Sequence, residues 1–99
     1  MKVVFSDEAR SDLQRIGDYI AEDDPHRART FVAELIEKSR QIGQTPEAFQ
    51  RVPRYARQGV RRRVHGAYLI FYRVEPEAVT VIHILHGAQD YEALLFPEN

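Results

Sequence analysis

The first half of the chain alternates apolar and polar positions with the period of an α-helix. After residue 6, apolar side chains recur at spacings of four, three and four, which places them on one stripe of a helix. Ser6 is a preferred N-cap residue, and the acidic residues Asp7 and Glu8 suit the positive end of a helix dipole. The pattern predicts a helix of about 16 residues that buries the apolar stripe and exposes its acids. The predicted stripe is Ala9, Leu13, Ile16 and Ile20, and the predicted exposed acids are Asp12, Asp18 and Glu22.

A second helical pattern follows after a short polar turn. Asp24 is a good N-cap residue, and Pro25 suits the first helical position, where no backbone N–H is needed. Gly43 and Pro46 end the pattern after about 18 residues. Because the turn between the two helices is tight, they are predicted to form a helical hairpin. The predicted inner face of the second helix is Ala28, Phe31, Leu35, Ser39 and Ile42.

The period changes to two in the second half of the chain, which is typical of strands. A β-branched and aromatic run near the N-terminus predicts one earlier strand. Residues 44–59 have no clear period, so they are predicted to form a connector with at most one helical turn. The predicted strands are residues 2–5, 60–64, 67–74 and 79–86, with turns at Gly66 and at residues 75–78.

The order of these elements is β-α-α-β-β-β. It predicts an α+β fold in which the helical hairpin packs on one face of a mainly antiparallel sheet. The sequence contains no internal repeat and no linker long enough for a second domain, so residues 1–99 are predicted to form a single domain.

Residues 67–74 are apolar or aromatic at nearly every position, which predicts a central strand. Strand alternation places Tyr68, Ile70 and Tyr72 on one face and Phe71 on the other. Phe71 is predicted to lie in the core, whereas the two tyrosines are predicted to pack with their hydroxyls in water. The predicted core is Leu13, Ile16, Phe31, Leu35, Leu69 and Phe71.

Charge is distributed unevenly along the chain. The formal net charge is −1, but residues 48–74 contain seven arginines and no acidic residue. Alternation places Arg61 and Arg63 on one face of their strand and Arg62 on the other, so the three do not form one patch. We expect Arg61 and Arg63 to lie on one face beside Arg73. Two interpretations are open: the arginines pair with the acidic helices of the same chain, or they bind a partner.

Several classes of function lack their residues in this sequence. There is no cysteine, so neither a disulfide framework nor a thiolate metal site is possible. His83 and His86 point to opposite faces of a predicted strand, and neither a nucleophile elbow nor a phosphate loop is present, so no metal and no cofactor is predicted. No apolar run reaches the roughly 18 residues of a membrane helix, and the N-terminus does not fit a signal peptide. We therefore expect a cytoplasmic protein.

RNA cleavage without a metal needs a general base, a general acid and a cation near the phosphate. Histidines, arginines and a tyrosine of the second half provide such groups, but no spacing fixes them in one pocket. The candidates for this chemistry are Arg61, Arg73, His86 and Tyr91.

A set of motifs runs through residues 3–92 in a specific order. They include A-x-x-D-L-x-x-I-x-x-Y-I at residues 9–20, the Asp24-Pro25 turn, "YLIFYR" at residues 68–73 and "LHGAQD" at residues 85–90. With these motifs the sequence resembles the ParE branch of the RelE/ParE superfamily, the toxins of type II toxin–antitoxin systems.

The resemblance implies a toxin that inhibits DNA gyrase by binding, has no catalytic residues, and is neutralised by a ParD-like antitoxin. It also implies that operator DNA is contacted only through the antitoxin complex and that no membrane is involved. The RelE branch cleaves mRNA on the ribosome instead. Because residues 39–99 contain no lysine, the sequence departs from that branch. A third alternative is a degenerate toxin that only binds its antitoxin.

The resemblance also directs attention to the C-terminal part of the sheet. The position after "LHGA" is commonly arginine in the family and is Gln89 here, which puts a role of that basic group in doubt. The residues predicted to bind partners are Arg61, Arg63, Arg73, His86, Gln89, Asp90 and Tyr91.

Overall fold

A computed structural model of the chain describes residues 1–53 and 58–96. Two arginines of the basic segment, Arg54 and Arg57, lie outside the described residues. The predicted order of helices and strands is confirmed, with two short helices in addition. The elements are β1 (Lys2–Phe5), α1 (Asp7–Ala21), α2 (Pro25–Gln41), a 3-10 helix (Ile42–Gln44), β2 (Val60–His65), β3 (Tyr68–Val74), β4 (Ala78–His86) and α3 (Tyr91–Leu95).

The four strands form one sheet in the order β1-β4-β3-β2. β2, β3 and β4 pair antiparallel, and β1 joins β4 in parallel. β3 has a strand on each side, as its two apolar faces predicted. Since α1 and α2 pack on one face, the predicted α+β fold is confirmed. Among the described residues, no helix is long and apolar enough to cross a membrane.

Both long helices begin at the predicted residues. The Ser6 hydroxyl accepts a hydrogen bond from the Ala9 N–H at 3.0 Å, and the Asp24 carboxylate accepts one from the Arg27 N–H at 3.0 Å. Each bond satisfies a donor that has no partner within its helix. Pro25 occupies the start of α2 as expected. The hairpin therefore follows from capping signals that are local in sequence.

The face of the sheet under α1 and α2, here called the helix-covered face, holds the larger core. Leu13 is only partly buried and packs at its margin. Tyr72 is fully buried, and its hydroxyl donates to the Pro46 carbonyl at 2.6 Å, so the prediction of a hydroxyl in water is wrong for this residue. The connector folds over it, and burial raises the pKa of Tyr72. The buried residues are Ala9, Ile16, Phe31, Leu35, Ile42, Ile70, Tyr72, Val79, Val81 and Ile84.

The opposite side of the sheet, here called the second face, has its own cluster. Leu69 and Phe71 are buried as predicted, but they lie on this face and not under the helices. The short helix α3 covers part of the cluster. The sequence did not indicate α3, because five residues are too few to show a helical period. The buried residues are Val52, Val60, Leu69, Phe71 and Leu85, and Ile82, Tyr91, Leu95 and Phe96 pack against them.

The connector also contributes to the sheet. Arg51 forms an isolated antiparallel bridge with Arg61, and the Val52 N–H donates to the Val60 carbonyl at 2.9 Å. Residues 50–52 thus follow the first half of the outer edge of β2. The sequence did not reveal this pairing, because three residues carry no recognisable alternation.

Side chains close the edge of β4 where β1 ends. β1 pairs with β4 only as far as Val81, so later backbone groups of β4 have no strand of the described residues beside them on that side. Buried or edge-lying backbone groups need partners, and here side chains supply them. The Ser6 hydroxyl donates to Ile82 O at 2.9 Å, Asp12 Oδ2 accepts from Ile84 N at 2.8 Å, and Gln89 Oε1 accepts from His86 N at 2.9 Å.

The prediction that Asp12 is exposed is wrong, since only 2% of the residue is accessible to solvent. Besides the backbone bond, Asp12 Oδ2 lies 2.6 Å from His83 Nδ1, and Asp12 Oδ1 lies 2.5 Å from an Arg15 nitrogen. The reason is the path of α1, which runs along the free edge of β4 and turns this carboxylate toward it. Asp12 therefore has a structural role, because its carboxylate links α1 to β4.

Candidate partner-binding surface

Arg61 and Arg63 lie on the helix-covered face and bond to the chain around the end of α2. Arg61 Nη1 donates to the Phe49 carbonyl at 2.7 Å. Arg63 Nη1 donates to the Lys38 carbonyl at 3.0 Å and to Gln41 Oε1 at 3.2 Å, and its guanidinium lies 4.8 Å from the Phe49 ring centroid. A cation is favourable at the last carbonyls of a helix. Both arginines thus have contacts within the chain, and a role for them in partner binding stays a prediction.

Arg73 lies on the second face, so the expectation that it sits beside Arg61 and Arg63 is wrong. Arg61 pairs with Tyr72 across the β2–β3 ladder, whereas Arg73 pairs with Val60. Residues directly opposite each other in an antiparallel pair share a face, and successive residues alternate. The register of the hairpin therefore separates Arg73 from the other two arginines.

Arg62 and Arg73 also bond to oxygens of the same chain. Arg62 Nη1 donates to the Tyr91 hydroxyl at 3.1 Å, which links β2 to α3. Arg73 Nε donates to the Gln58 carbonyl at 3.0 Å. Together with the bonds of Arg61 and Arg63, these contacts are to neutral oxygens, not to the carboxylates of the acidic helices. The arginines of β2 and β3 thus hold neighbouring segments of the chain against both faces of the sheet.

His86, Gln89, Asp90 and Tyr91 are neighbours in sequence around the turn after β4, but their side chains do not share one surface. The His86 ring Nδ1 accepts from the Ala88 N–H at 3.0 Å, which fixes the ring at the end of β4. Gln89 caps the His86 N–H, a role that needs an acceptor and that an arginine side chain cannot fill. Asp90 precedes α3, and Tyr91 begins it with its ring against the second face.

The residues named for RNA cleavage do not converge. Arg61 and His86 share the helix-covered face, but they pair with Tyr72 and Tyr68, four residues apart on β3. Strand geometry then puts the backbones of Arg61 and His86 roughly 16 Å apart. Arg73 and Tyr91 are on the second face, so the four side chains cannot surround one phosphate.

A cleft of about 730 Å³ opens at the end of the helix-covered face near the β2–β3 turn. We call it the aromatic cleft. Three of its rings lie in a row: Phe31 meets Tyr68 at 5.5 Å between centroids, and Tyr68 meets His86 edge-on at 5.2 Å. His65, which does not line the cleft, stacks on Phe31 at 5.4 Å and extends the row. Ile16, Ile20 and Ile84 form its floor, and Arg15, Tyr19, Arg27, Tyr68, His86 and Gln89 lie around it.

Glu34 connects the side chains of Arg27 and His65 beside this row of rings. It accepts from Arg27 at 2.8 Å and lies 3.0 Å from His65 Nε2, and the Arg27 guanidinium sits 5.1 Å from the Phe31 ring centroid. The hydrogen bond from Arg27, followed by that from His65, lowers the pKa of Glu34, and the bond to Glu34 raises the pKa of Arg27. The pairing of the Glu34 carboxylate with Arg27 therefore stabilises the fold at pH values above the ordinary glutamate pKa. This stabilisation is lost as the pH falls through the lowered pKa of Glu34.

Of the predicted partner-binding residues, the aromatic cleft contains only His86 and Gln89. The sequence did not single out Arg15, Tyr19 or Arg27. A usable signal was their spacing, because Arg15 and Tyr19 lie four apart beside the apolar stripe of α1 and therefore share a face. Within the described part of the chain, no three metal-ligating side chains come together.

Comparison with known proteins assigns the chain to a family. Residues 3–91 match the family model described as the ParE toxin of the type II toxin–antitoxin system, parDE. The chain belongs to the ParE toxin family. As a ParE toxin, it is the toxin component of a type II toxin–antitoxin system. No curated protein sequence is significantly similar to this ParE-family chain.

Solved structures share the fold at low sequence identity. A chain of the chromosomal ParDE toxin–antitoxin system from P. aeruginosa superposes with a TM-score of 0.73 and is 21% identical, covering 87% of this chain and 95% of that one. A chain of the toxin–antitoxin complex RelBE2 from Mycobacterium tuberculosis gives a TM-score of 0.65 and 23% identity, covering 89% and 92%. The architecture of this ParE-family chain is thus common to both named systems.

Proposed function

We propose that this ParE-family toxin inhibits DNA gyrase by binding it in the cytoplasm and is neutralised by a ParD-like antitoxin. The observation that carries the proposal is the family match over residues 3–91, whose description names the parDE system. The structural neighbour from P. aeruginosa, a ParDE system, supports the same partner class. Operator DNA is contacted through the antitoxin complex.

The arrangement of side chains favours binding over catalysis. Arg61 and His86 are on one face of the sheet, and Arg73 and Tyr91 are on the other. General acid–base catalysis requires groups within hydrogen-bond reach of one reacting centre. A RelE-like ribonuclease using these four residues therefore lacks a common site, which supports a toxin that acts through its surface.

A reconstituted assay tests the activity. Purified toxin is added to gyrase and relaxed plasmid, and in parallel to ribosomes carrying mRNA. We expect supercoiling to be blocked, mRNA to stay intact, and the product of the neighbouring reading frame to restore supercoiling. Cleaved mRNA with unaffected gyrase would refute the proposal in favour of a ribonuclease. Binding of the antitoxin without any effect on gyrase or mRNA would identify a degenerate toxin.

A pair of variants tests the proposed role of Arg73 in that assay. Arg73→Ala removes a side chain proposed to meet a partner, whereas Arg40→Ala removes an exposed arginine of α2 that has no proposed role. We expect Arg73→Ala to weaken gyrase inhibition by about tenfold, the usual scale for a lost charged hydrogen bond, and Arg40→Ala to match the wild type. Equal inhibition by both variants would remove Arg73 from the partner surface.

A further inference from the structure

The aromatic cleft combines an apolar floor with hydrogen-bond donors around it. Ile16 and Ile84 are buried, and the side chains of Arg15 and Arg27 are 59% and 48% exposed. Tyr19 is 68% exposed beside them. Within the described part of the chain, no aspartate or glutamate lines the cleft. Its size falls within the roughly 300–1,000 Å³ of typical binding clefts.

The two arginines are held in place without using all their donors. Arg27 is fixed by Glu34 and by the face of Phe31, and Arg15 is fixed by the buried carboxylate of Asp12. A guanidinium has five N–H donors, so each retains donors for a ligand. Because the side chains are already ordered, a ligand that bonds to them loses little additional conformational entropy.

The ring of His86 is also oriented so that it can donate a hydrogen bond in the cleft. His86 Nδ1 accepts the Ala88 N–H, so the neutral ring carries its proton on Nε2. The ring stands edge-on to Tyr68, which keeps it at the wall of the cleft. Donors from three elements, α1, α2 and the end of β4, therefore surround one apolar floor.

We propose that the aromatic cleft docks a segment of the antitoxin that inserts apolar side chains onto the isoleucine floor and places carboxylates against Arg15 and Arg27. The inference rests on the proposed function, since the occupant is the ParD-like antitoxin. Charge complementarity selects this occupant: a cleft with donors and no lining acid favours an acidic amphipathic segment over a basic one.

The outer groove between α1 and α2 is a less suitable site for such a segment. It also has an apolar floor, but Asp18 lines it together with Arg10 and Arg29. A carboxylate of the partner would meet a like charge there. Arg29 and Arg27 are both exposed and lie two residues apart on α2, one at each cleft, so they form a matched pair for experiments.

Photo-crosslinking tests where the antitoxin lies. A benzoylphenylalanine replaces Tyr19 at the aromatic cleft in one protein and Arg29 at the outer groove in another, and each is irradiated in the purified complex. We expect position 19 to capture an antitoxin peptide that contains both apolar and acidic residues. Capture from position 29 alone, capture of a basic peptide, or capture of a second toxin copy at position 19 would overturn the proposal.

Affinity measurements with the same antitoxin provide the energetic test. We expect Arg27→Gln to weaken binding at least tenfold and Arg29→Gln by less than twofold, on the scale of a charged hydrogen bond. Circular dichroism checks that both variants remain folded. Equal affinities would overturn the docking site while leaving the proposed function intact, whereas a wild-type toxin that binds no antitoxin would refute the proposed function itself.

Discussion

The two faces of the sheet are covered in different ways. On the helix-covered face, ten of the described residues form a buried cluster between the sheet and the helices α1 and α2, which have 15 and 17 residues and pack against each other. On the second face, five of the described residues form a buried cluster, which the five-residue α3 and short stretches of chain cover. An isolated helix of five residues is unstable in water, so α3 is ordered only through its contacts with the sheet.

This difference separates stability from adaptability within one small fold. The helix-covered face provides a rigid wall for the aromatic cleft, because its side chains are held from both the helices and the sheet. The cover of the second face opens at lower cost, since few apolar contacts hold it.

The largest effect is expected from truncating a leucine of α2 that packs in the core of the helix-covered face. Leu35 on the helix-covered face and Leu85 on the second face are both almost fully buried, so Leu→Ala removes the same atoms from each. Such changes cost about 2–5 kcal/mol, depending on how far the surroundings collapse. We expect about 4 kcal/mol for Leu35→Ala and about 2 kcal/mol for Leu85→Ala, because α3 can settle into the space. Urea unfolding measures both, and equal losses would contradict the comparison.

The next effect concerns the bond between α1 and the edge of β4. Asp12→Asn weakens a buried acceptor for Ile84 N–H, His83 and Arg15, and we expect a loss of about 2 kcal/mol in the free energy of unfolding. Asp18→Asn on the same helix is the control, because Asp18 is exposed and accepts a hydrogen bond from the Gln14 amide of its own helix. If the two variants unfold at the same urea concentration, Asp12 contributes nothing through this bond.

A smaller effect is expected at the connector on the helix-covered face. Arg61→Ala removes a side chain that donates to the carbonyls of Glu47 and Phe49, so we expect a loss of about 1 kcal/mol and a protein that still folds. Thermal unfolding measures the change. A variant as stable as the wild type but unable to bind a partner would place Arg61 on the partner surface after all.

The smallest effect is expected where α3 meets β2. Tyr91→Phe keeps the ring near Phe71 but deletes the hydroxyl that accepts from Arg62, with an expected loss of about 0.5 kcal/mol. Amide hydrogen exchange should become faster in α3 and stay unchanged in α2, because only the cover of the second face loosens. Faster exchange throughout the chain would show that α3 supports the whole fold.

The helices and strands were predictable because their signals are local. Ser6 and Asp24 cap helices through residues three positions away, and strand alternation needs only neighbouring positions. The burial of Asp12 was not predictable in this way, since its partners on β4 are more than 70 residues away in sequence. A polar residue beside an apolar stripe looks the same whether it faces water or a strand edge.

The face of the sheet on which Arg73 lies could have been predicted from the sequence. Gly66 and Ala67 form the turn between β2 and β3, so His65 pairs with Tyr68 and Arg61 with Tyr72. Counting outward from a two-residue turn fixes which side chains share a face. For the aromatic cleft the sequence offered only the spacing of Arg15 and Tyr19, because the cleft forms only when α1, α2 and the end of β4 come together.

The closed edge of β4 also protects the protein at high concentration. An unpaired strand edge is a template to which another chain can add its own strand, and repeated addition leads to aggregates. Here a hydroxyl, a carboxylate and a carboxamide already occupy the backbone groups beyond β1. An incoming strand would have to displace all three and deprive the buried carboxylate of Asp12 of the Ile84 N–H. Self-association along this stretch of β4 is therefore unfavourable even while the toxin is free.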